Sequence, residues 1–144
     1  MTDQPTKKYE FVEGDTIRRQ GRVLKRIRAI KDFSHVKKGD LGGYIEREEN
    51  LSHEGNCWVG MSAFVHSRAR IYEDARVTNY SVVGGSARVH GKAKVSEGAS
   101  VGEEAEIYDG SCVSGYVFIG GYSNVSGTAN INGFDHTGNE YELG

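Results

Sequence analysis

The sequence has very little proline and cysteine, and it carries no positive charge over its last third. Proline occurs once in 144 residues, at Pro5, and no apolar run is long enough to span a membrane. The two cysteines, Cys57 and Cys112, form neither a disulfide framework nor a zinc motif. No Lys or Arg follows Lys94, whereas eight acidic residues do. With no recognisable secretory signal, these features predict a protein of a reducing cytoplasm.

A six-residue repeat dominates the remaining sequence. From residue 57 to 134 an aliphatic residue occupies every sixth position without a gap, and a small or apolar residue lies two positions before it. The thirteen aliphatic positions are Val59, Val65, Ile71, Val77, Val83, Val89, Val95, Val101, Ile107, Val113, Ile119, Val125 and Ile131. A short, fixed period over more than half of a chain is typical of a solenoid.

The residue types within the repeat predict β-structure. Val and Ile favour strands, and the residues that flank each aliphatic position should point outward because strand side chains alternate. Gly, Asn or Asp often follows two positions later, where a turn needs a positive φ. Three hexapeptides would close a triangular coil of 18 residues. Thirteen therefore predict an all-β parallel β-helix of a little over four coils.

Residues 57–134 resemble the hexapeptide-repeat left-handed β-helix family, and the resemblance implies the left-handed sense. Residues 28–59, with the segment Gly39-Asp40-Leu41-Gly42-Gly43, resemble the leader of phage- and prophage-encoded hexapeptide-repeat proteins. We therefore divide the chain into a β-rich cap (1–56), the array (57–134) and a tail (135–144). In the cap, strands at 9–12 and 16–19 would form a hairpin around Gly14, and 22–30 would add a strand.

Stacking of the coils predicts three outward ladders of residues. An apolar ladder of Phe64, Val82 and Phe118 suggests the interface of a homodimer or homotrimer. An acidic group suggests a site for a basic partner. It comprises Glu103, Glu104, Glu106 and Asp109. A secondary cluster of exposed aromatic residues comprises Tyr72, Tyr108, Tyr80, Tyr116 and Phe134, and His90 lies between two of these tyrosines.

Three functions fit this pattern. The first is a non-catalytic protein-binding module, which the phage resemblance implies is an inhibitor of a host defence complex, such as a nucleic-acid-guided one, in a bacterial cytoplasm. The second is a trimeric acyltransferase, as the β-helix resemblance implies, with His90 or His66 as its base. The third is a structural or assembly protein. We expect no cofactor and no metal, because His66 and His90 fall on different faces, and no direct binding of nucleic acid.

Overall fold

Each hexapeptide forms one short strand and one tight corner in the computed structural model, which describes residues 7–133. The strands are β1 (Tyr9–Arg19), β2 (Arg22–Ala29), β3 (Leu41–Ile45), β4 (Trp58–Val59), β5 (Phe64–Val65), β6 (Arg70–Ile71), β7 (Arg76–Val77), β8 (Val82–Val83), β9 (Arg88–Val89), β10 (Lys94–Ser96), β11 (Ser100–Val101), β12 (Glu106–Ile107), β13 (Cys112–Ser114), β14 (Phe118–Ile119), β15 (Asn124–Val125) and β16 (Asn130–Asn132). The single helical segment within residues 7–133 is the 3-10 turn Glu48–Asn50, which is far too short to cross a bilayer.

The strands stack in parallel with an offset of 18 residues and so build three flat sheets. Their orders are β5-β8-β11-β14, β6-β9-β12-β15 and β4-β7-β10-β13-β16. Val95, for example, lies between Val77 of the preceding turn and Val113 of the following one. The predicted parallel β-helix is therefore confirmed, and its left-handed sense remains a prediction from the resemblance.

The interior is a column of aliphatic side chains with small residues in its corners. Val59, Val83, Val95 and their equivalents are almost fully buried, as are the alanines that precede them by two positions. The corners turn through residues with positive φ, such as Gly85 (φ 61°) and Asp109 (φ 59°). Most hexapeptides have Gly, Asn or Asp at this position, and Ser67, Glu73, Glu97 and Glu103 adopt the same positive φ in others.

The solenoid has about five turns, slightly more than the predicted little over four coils. Strand β3 pairs in parallel with β5, with Tyr44 opposite Phe64, and Leu51 bridges to Ile71. Ile45 and Leu51 are fully buried and supply the first inward residues. Leu51 and Val59 are eight positions apart instead of six, and this insertion interrupts the count that reveals the later turns.

The N-terminal hairpin exists, but its turn lies elsewhere than predicted. Strand β1 runs from Tyr9 to Arg19 without a break, and its register against β2 shifts between Phe11 and Thr16. Gly14, with φ of 80°, therefore lies in a bulge. The turn falls at Gln20 and Gly21, which both have positive φ, as a two-residue hairpin loop requires. The predicted strand at 22–30 is confirmed by β2.

The cap covers the open end of the core. Tyr9 is buried and its hydroxyl donates to the carbonyl oxygen of Leu51 over 2.6 Å. Trp58, which the repeat places on an outward ladder, is only 8% exposed because Phe33 packs edge-on against it at 5.4 Å. Lys8 is buried beside them and donates from Nζ to the carbonyl oxygen of Cys57 over 2.7 Å. Backbone acceptors at the end of the stack are satisfied in this way. The tail at 135–144 lies outside the described residues.

Candidate functional site

The three sheets present three flat outer faces, and each outward ladder predicted from the period is confirmed. The aromatic face carries Phe64, Val82, Ser100 and Phe118 in register. The histidine face carries Arg70, Arg88, Glu106 and Asn124 in one row, and Tyr72, His90 and Tyr108 in the next. The third face carries Trp58, Arg76, Lys94, Cys112 and Asn130.

The aromatic face is unevenly exposed along its length. Phe64 is half-buried because the Arg19 guanidinium lies 4.7 Å from its ring centre and Tyr44 packs at 6.0 Å. At the other end Phe118 is 54% exposed. Gly84, Gly102 and Gly120 form a row beside it. The Phe118 ring lies 3.5 Å from the position that a Cβ would take at Gly102, so it covers part of this row.

Exposed tyrosines border this face on both sides. Tyr80 and Tyr116, at the corner with the third face, are 71% and 78% exposed, and Tyr122, at the corner with the histidine face, is 76% exposed. The Tyr122 hydroxyl bonds the Glu104 carboxylate, which raises the pKa of Tyr122. The sequence identified Tyr80 and Tyr116 as exposed corner residues but did not single out Tyr122, although it holds the same place before a small residue. Phe134 lies outside the described residues.

His66 lies at the edge of the aromatic face, and only one of its two ring nitrogens has a hydrogen-bond partner among residues 7–133. Its Nδ1 is 2.9 Å from the Ser67 hydroxyl, and Nε2 has no hydrogen-bond partner among residues 7–133. The half-buried ring lies over Gly84, where a Cβ would come within 2.7 Å of Nε2. Burial, and next to it the positive charge of Arg22, lower the pKa of His66. The imidazole is therefore neutral near pH 7 and able to accept a proton.

His90 is held on all sides on the histidine face. Its ring is stacked between Tyr72 at 4.6 Å and Tyr108 at 5.2 Å, with all three planes nearly parallel. Nδ1 lies 3.2 Å from a Glu73 oxygen and Nε2 lies 2.6 Å from a Glu106 oxygen. Both nitrogens are thus occupied by carboxylates, so His90 has no free position with which to take a proton from a substrate.

The four acidic residues do not form one open cluster. Glu106 is paired with Arg88 at 3.0 Å and with His90. The Asp109 carboxylate accepts the backbone N–H of Gly127 over 2.9 Å, and Glu103 accepts that of Gly121 in the same way. These contacts link each corner to the next turn, so the carboxylates serve the solenoid itself. Their role as a site for a basic partner stays a prediction.

Two further features lie at the junction of the cap and the solenoid. An open groove of about 450 Å³ is lined by Glu48, Ser52, His53, Arg70 and Tyr72, among others. His53, which the sequence did not single out, stacks on Tyr9, accepts the Lys8 N–H on Nδ1 and bonds Glu48 through Nε2. Both its nitrogens are therefore occupied. No signal in the sequence predicts this arrangement, because it depends on how the cap folds over the first turn.

Within residues 7–133 the two cysteines form no disulfide and belong to no group of potential metal ligands. Cys57 is fully buried, and burial raises the pKa of its thiol. Cys112 is also free of any disulfide. Across residues 7–133 no group of three or more His, Cys, Asp or Glu side chains is placed to hold a metal ion. The aromatic face and His66 at its edge are therefore the principal candidate site.

Comparison with known proteins identifies one partial relative. No family model matches the chain. It is similar to a protein of Escherichia coli (strain K12) described as "Uncharacterized acetyltransferase YdcK", with 42% identity over 64 residues. That match covers 44% of this chain and 20% of the relative, so the chain spans about a fifth of the relative's length. Together with the observed repeat, the match fits a hexapeptide-repeat β-helix.

Proposed function

We propose that the protein is a non-catalytic binding module that docks a protein partner on its aromatic face. The observation that carries this proposal is the group of exposed aromatic side chains on and beside one flat sheet. Tyr80, Tyr116, Phe118 and Tyr122 are 54–78% exposed. Tyr and Phe are enriched at protein interfaces, and Tyr in particular contributes disproportionately to binding.

The rigidity of the solenoid supports this role. Phe118 extends from strand β14, which pairs with β11, and the three tyrosines lie at the tight corners that connect such paired strands. A rigid platform loses little conformational entropy when a partner binds. We further propose that the partner is a host defence complex, which the protein would inhibit. Glu104, bonded to Tyr122, would then add negative charge at the rim of the contact.

Replacing Phe118 and Tyr122 together with Ser should abolish docking while the protein stays folded. Both side chains are exposed, so their loss removes contact area without opening a cavity. Affinity capture from a bacterial lysate would be compared for the wild type, this variant and Val23→Ser/Leu41→Ser. The latter removes exposed apolar surface from the cap, where Val23 and Leu41 are 41% and 42% exposed. We expect the captured set to disappear only with Phe118→Ser/Tyr122→Ser.

Light scattering of the purified wild type separates a foreign partner from a second copy. An oligomer that Phe118→Ser/Tyr122→Ser dissociates and Val23→Ser/Leu41→Ser does not would assign the face to self-association, as the apolar ladder predicts. A monomer that captures the same proteins with and without Phe118 and Tyr122 would show that this face docks nothing.

Acyl transfer is the second candidate function, and His66 is the observation that favours it. A general base needs a nitrogen that no protein group already engages. Nε2 of His66 has no hydrogen-bond partner among residues 7–133, whereas both nitrogens of His90 are occupied. In this reaction Nε2 would take the proton from an acceptor amine or hydroxyl. The acceptor would attack the thioester carbonyl, and the thiolate would leave. The name of the partial relative is consistent with this class of reaction.

The two histidines should behave differently if the protein transfers acyl groups. His66→Ala should lower the rate of thiol release from acetyl-coenzyme A by about 100-fold or more, the usual contribution of a general base. His90→Ala should retain most of that rate. Because the His66 pKa is lowered and the neutral form is the active one, the rate should fall only as the pH drops below the ordinary histidine range. No acceptor-dependent thiol release by the wild type, or equal losses in both variants, would contradict the acyl-transfer function.

A further inference from the structure

We infer that a cavity at the first corner of the solenoid is a binding site for the phosphate group of a small molecule. The cavity measures about 250 Å³ and lies where the aromatic face meets the histidine face. Three arginines line it, together with Glu49, Asn50 and Ser67 among others. They are Arg47, Arg68 and Arg70. This site goes beyond the proposed docking function and does not depend on it.

The guanidinium groups at this corner are available to a ligand. Arg68 and Arg70 make no ion pair and no side-chain hydrogen bond with any of residues 7–133. Arg47 lies 3.8 Å from Glu46, a carboxylate already engaged by Arg22 at 3.3 Å and by the Ser67 N–H at 2.7 Å.

Arginines elsewhere on the solenoid have partners. Arg88 pairs with Glu106 at 3.0 Å, and Arg76 donates to the Ser34 hydroxyl over 2.6 Å. At this corner, in contrast, two arginines without such partners among residues 7–133, Arg68 and Arg70, line one cavity together with Arg47. Convergence of several such groups is the arrangement that binds phosphate, since each planar guanidinium offers paired donors.

A buried asparagine fixes the backbone that carries these arginines. The Asn50 side-chain oxygen accepts the N–H groups of Glu46 and Arg47 over 3.0 and 2.9 Å. Its amide nitrogen donates to the carbonyl oxygens of Ser67 and Ala69 over 3.2 and 2.8 Å. Asn50 is fully buried, so the corner of the first turn is fastened to the corner of the second. The three arginine backbones are thus held in place before a ligand arrives.

The charge and size of the cavity favour a compact anion. Three arginines and only one carboxylate, that of Glu49, line the cavity, so its lining carries an excess of positive charge that suits a phosphate group. The groove on the other side of Arg70 is lined by Glu48 and Glu49, which would repel the next phosphates of an extended nucleic-acid backbone. We therefore assign the site to one or two phosphate groups of a small molecule.

Titration calorimetry with inorganic pyrophosphate tests the assignment. The full-length wild type should bind it saturably, and Arg68→Gln/Arg70→Gln should weaken binding by about 100-fold, since a charged hydrogen bond contributes roughly tenfold or more. The control Lys92→Gln/Lys94→Gln removes the same charge from exposed positions away from the cavity and should change the affinity by less than about twofold. Circular dichroism would verify that all variants are folded.

Three results would overturn the assignment. The first is no saturable binding by the wild type at millimolar pyrophosphate. The second is equal weakening by the cavity variant and the lysine control, which would reveal general charge attraction. The third is that a short single-stranded oligonucleotide binds more tightly than pyrophosphate and loses this binding in Arg68→Gln/Arg70→Gln. That result would assign the corner to nucleic acid instead.

Discussion

Val95→Asp should unfold the repeat array. Val95 is fully buried in the middle of the aliphatic column, between Val77 and Val113, and no side chain there can pair with a carboxylate. The substitution removes buried apolar surface and places an ionisable group in an apolar interior. We expect a loss of about 4 kcal/mol or more in the free energy of unfolding. Because each turn is stabilised only by its neighbours, a break in the central turn should affect both halves.

Thermal unfolding followed by circular dichroism measures this effect, and Lys94→Asp is its matched control. Lys94 precedes Val95 in the same strand, but its side chain is exposed on the third face. The same new residue at this position should change stability by only about 0.5 kcal/mol, as is usual for surface sites. If Val95→Asp melts at the wild-type temperature, the assigned register of inward residues is incorrect.

Gly43→Ala should strongly destabilise the entry from the cap into the first turn. Gly43 lies two residues before the inward Ile45 and so occupies the small-residue position of that turn. A Cβ there would overlap the carbonyl oxygens of Gly60 and Ala63 and lie 3.0 Å from Val59 Cγ1. Backbone atoms cannot rotate away, so strand β3 would have to move. We expect a cost of about 3 kcal/mol, at the upper end of overpacking effects.

Gly102→Ala provides the comparison for Gly43→Ala. Gly102 lies on the aromatic face, and the nearest atom to a Cβ there is in the Phe118 ring at 3.5 Å, an ordinary contact. The melting temperature of Gly102→Ala should therefore stay close to that of the wild type. A Gly43→Ala variant as stable as Gly102→Ala would mean that β3 does not pack on the solenoid as described.

The sequence alone predicts most of the solenoid because every hexapeptide folds in the same way and contacts only its neighbours. Every sixth residue is aliphatic, a small residue precedes it by two, and strand pairing then follows from an 18-residue stack. This is why the outward ladders, such as Phe64, Val82 and Phe118, are correct. The six-residue period fails at the first turn, because two additional residues lie between Leu51 and Val59. Both of these side chains are nevertheless buried in the core. Gly43 and Ile45 carry the small-aliphatic pattern but stand outside the regular count.

The tertiary structure alone decides which of these exposed or polar residues are available for function. Period and residue type make His66 and His90 equivalent candidates. The fold surrounds His90 with Glu73 and Glu106 and leaves one nitrogen of His66 open. Likewise the cap covers Phe64 and Trp58 but not Phe118.

The arginine cavity depends on the same long-range contacts. Arg47 belongs to the first turn, and Arg68 and Arg70 lie about one turn later in the chain. They meet because the buried Asn50 joins two successive corners. A repeat therefore specifies the shape of this protein residue by residue, since each hexapeptide makes the same contacts with its neighbours. Partners for the outward side chains come from neighbouring turns and from the cap, and only the folded chain brings them together.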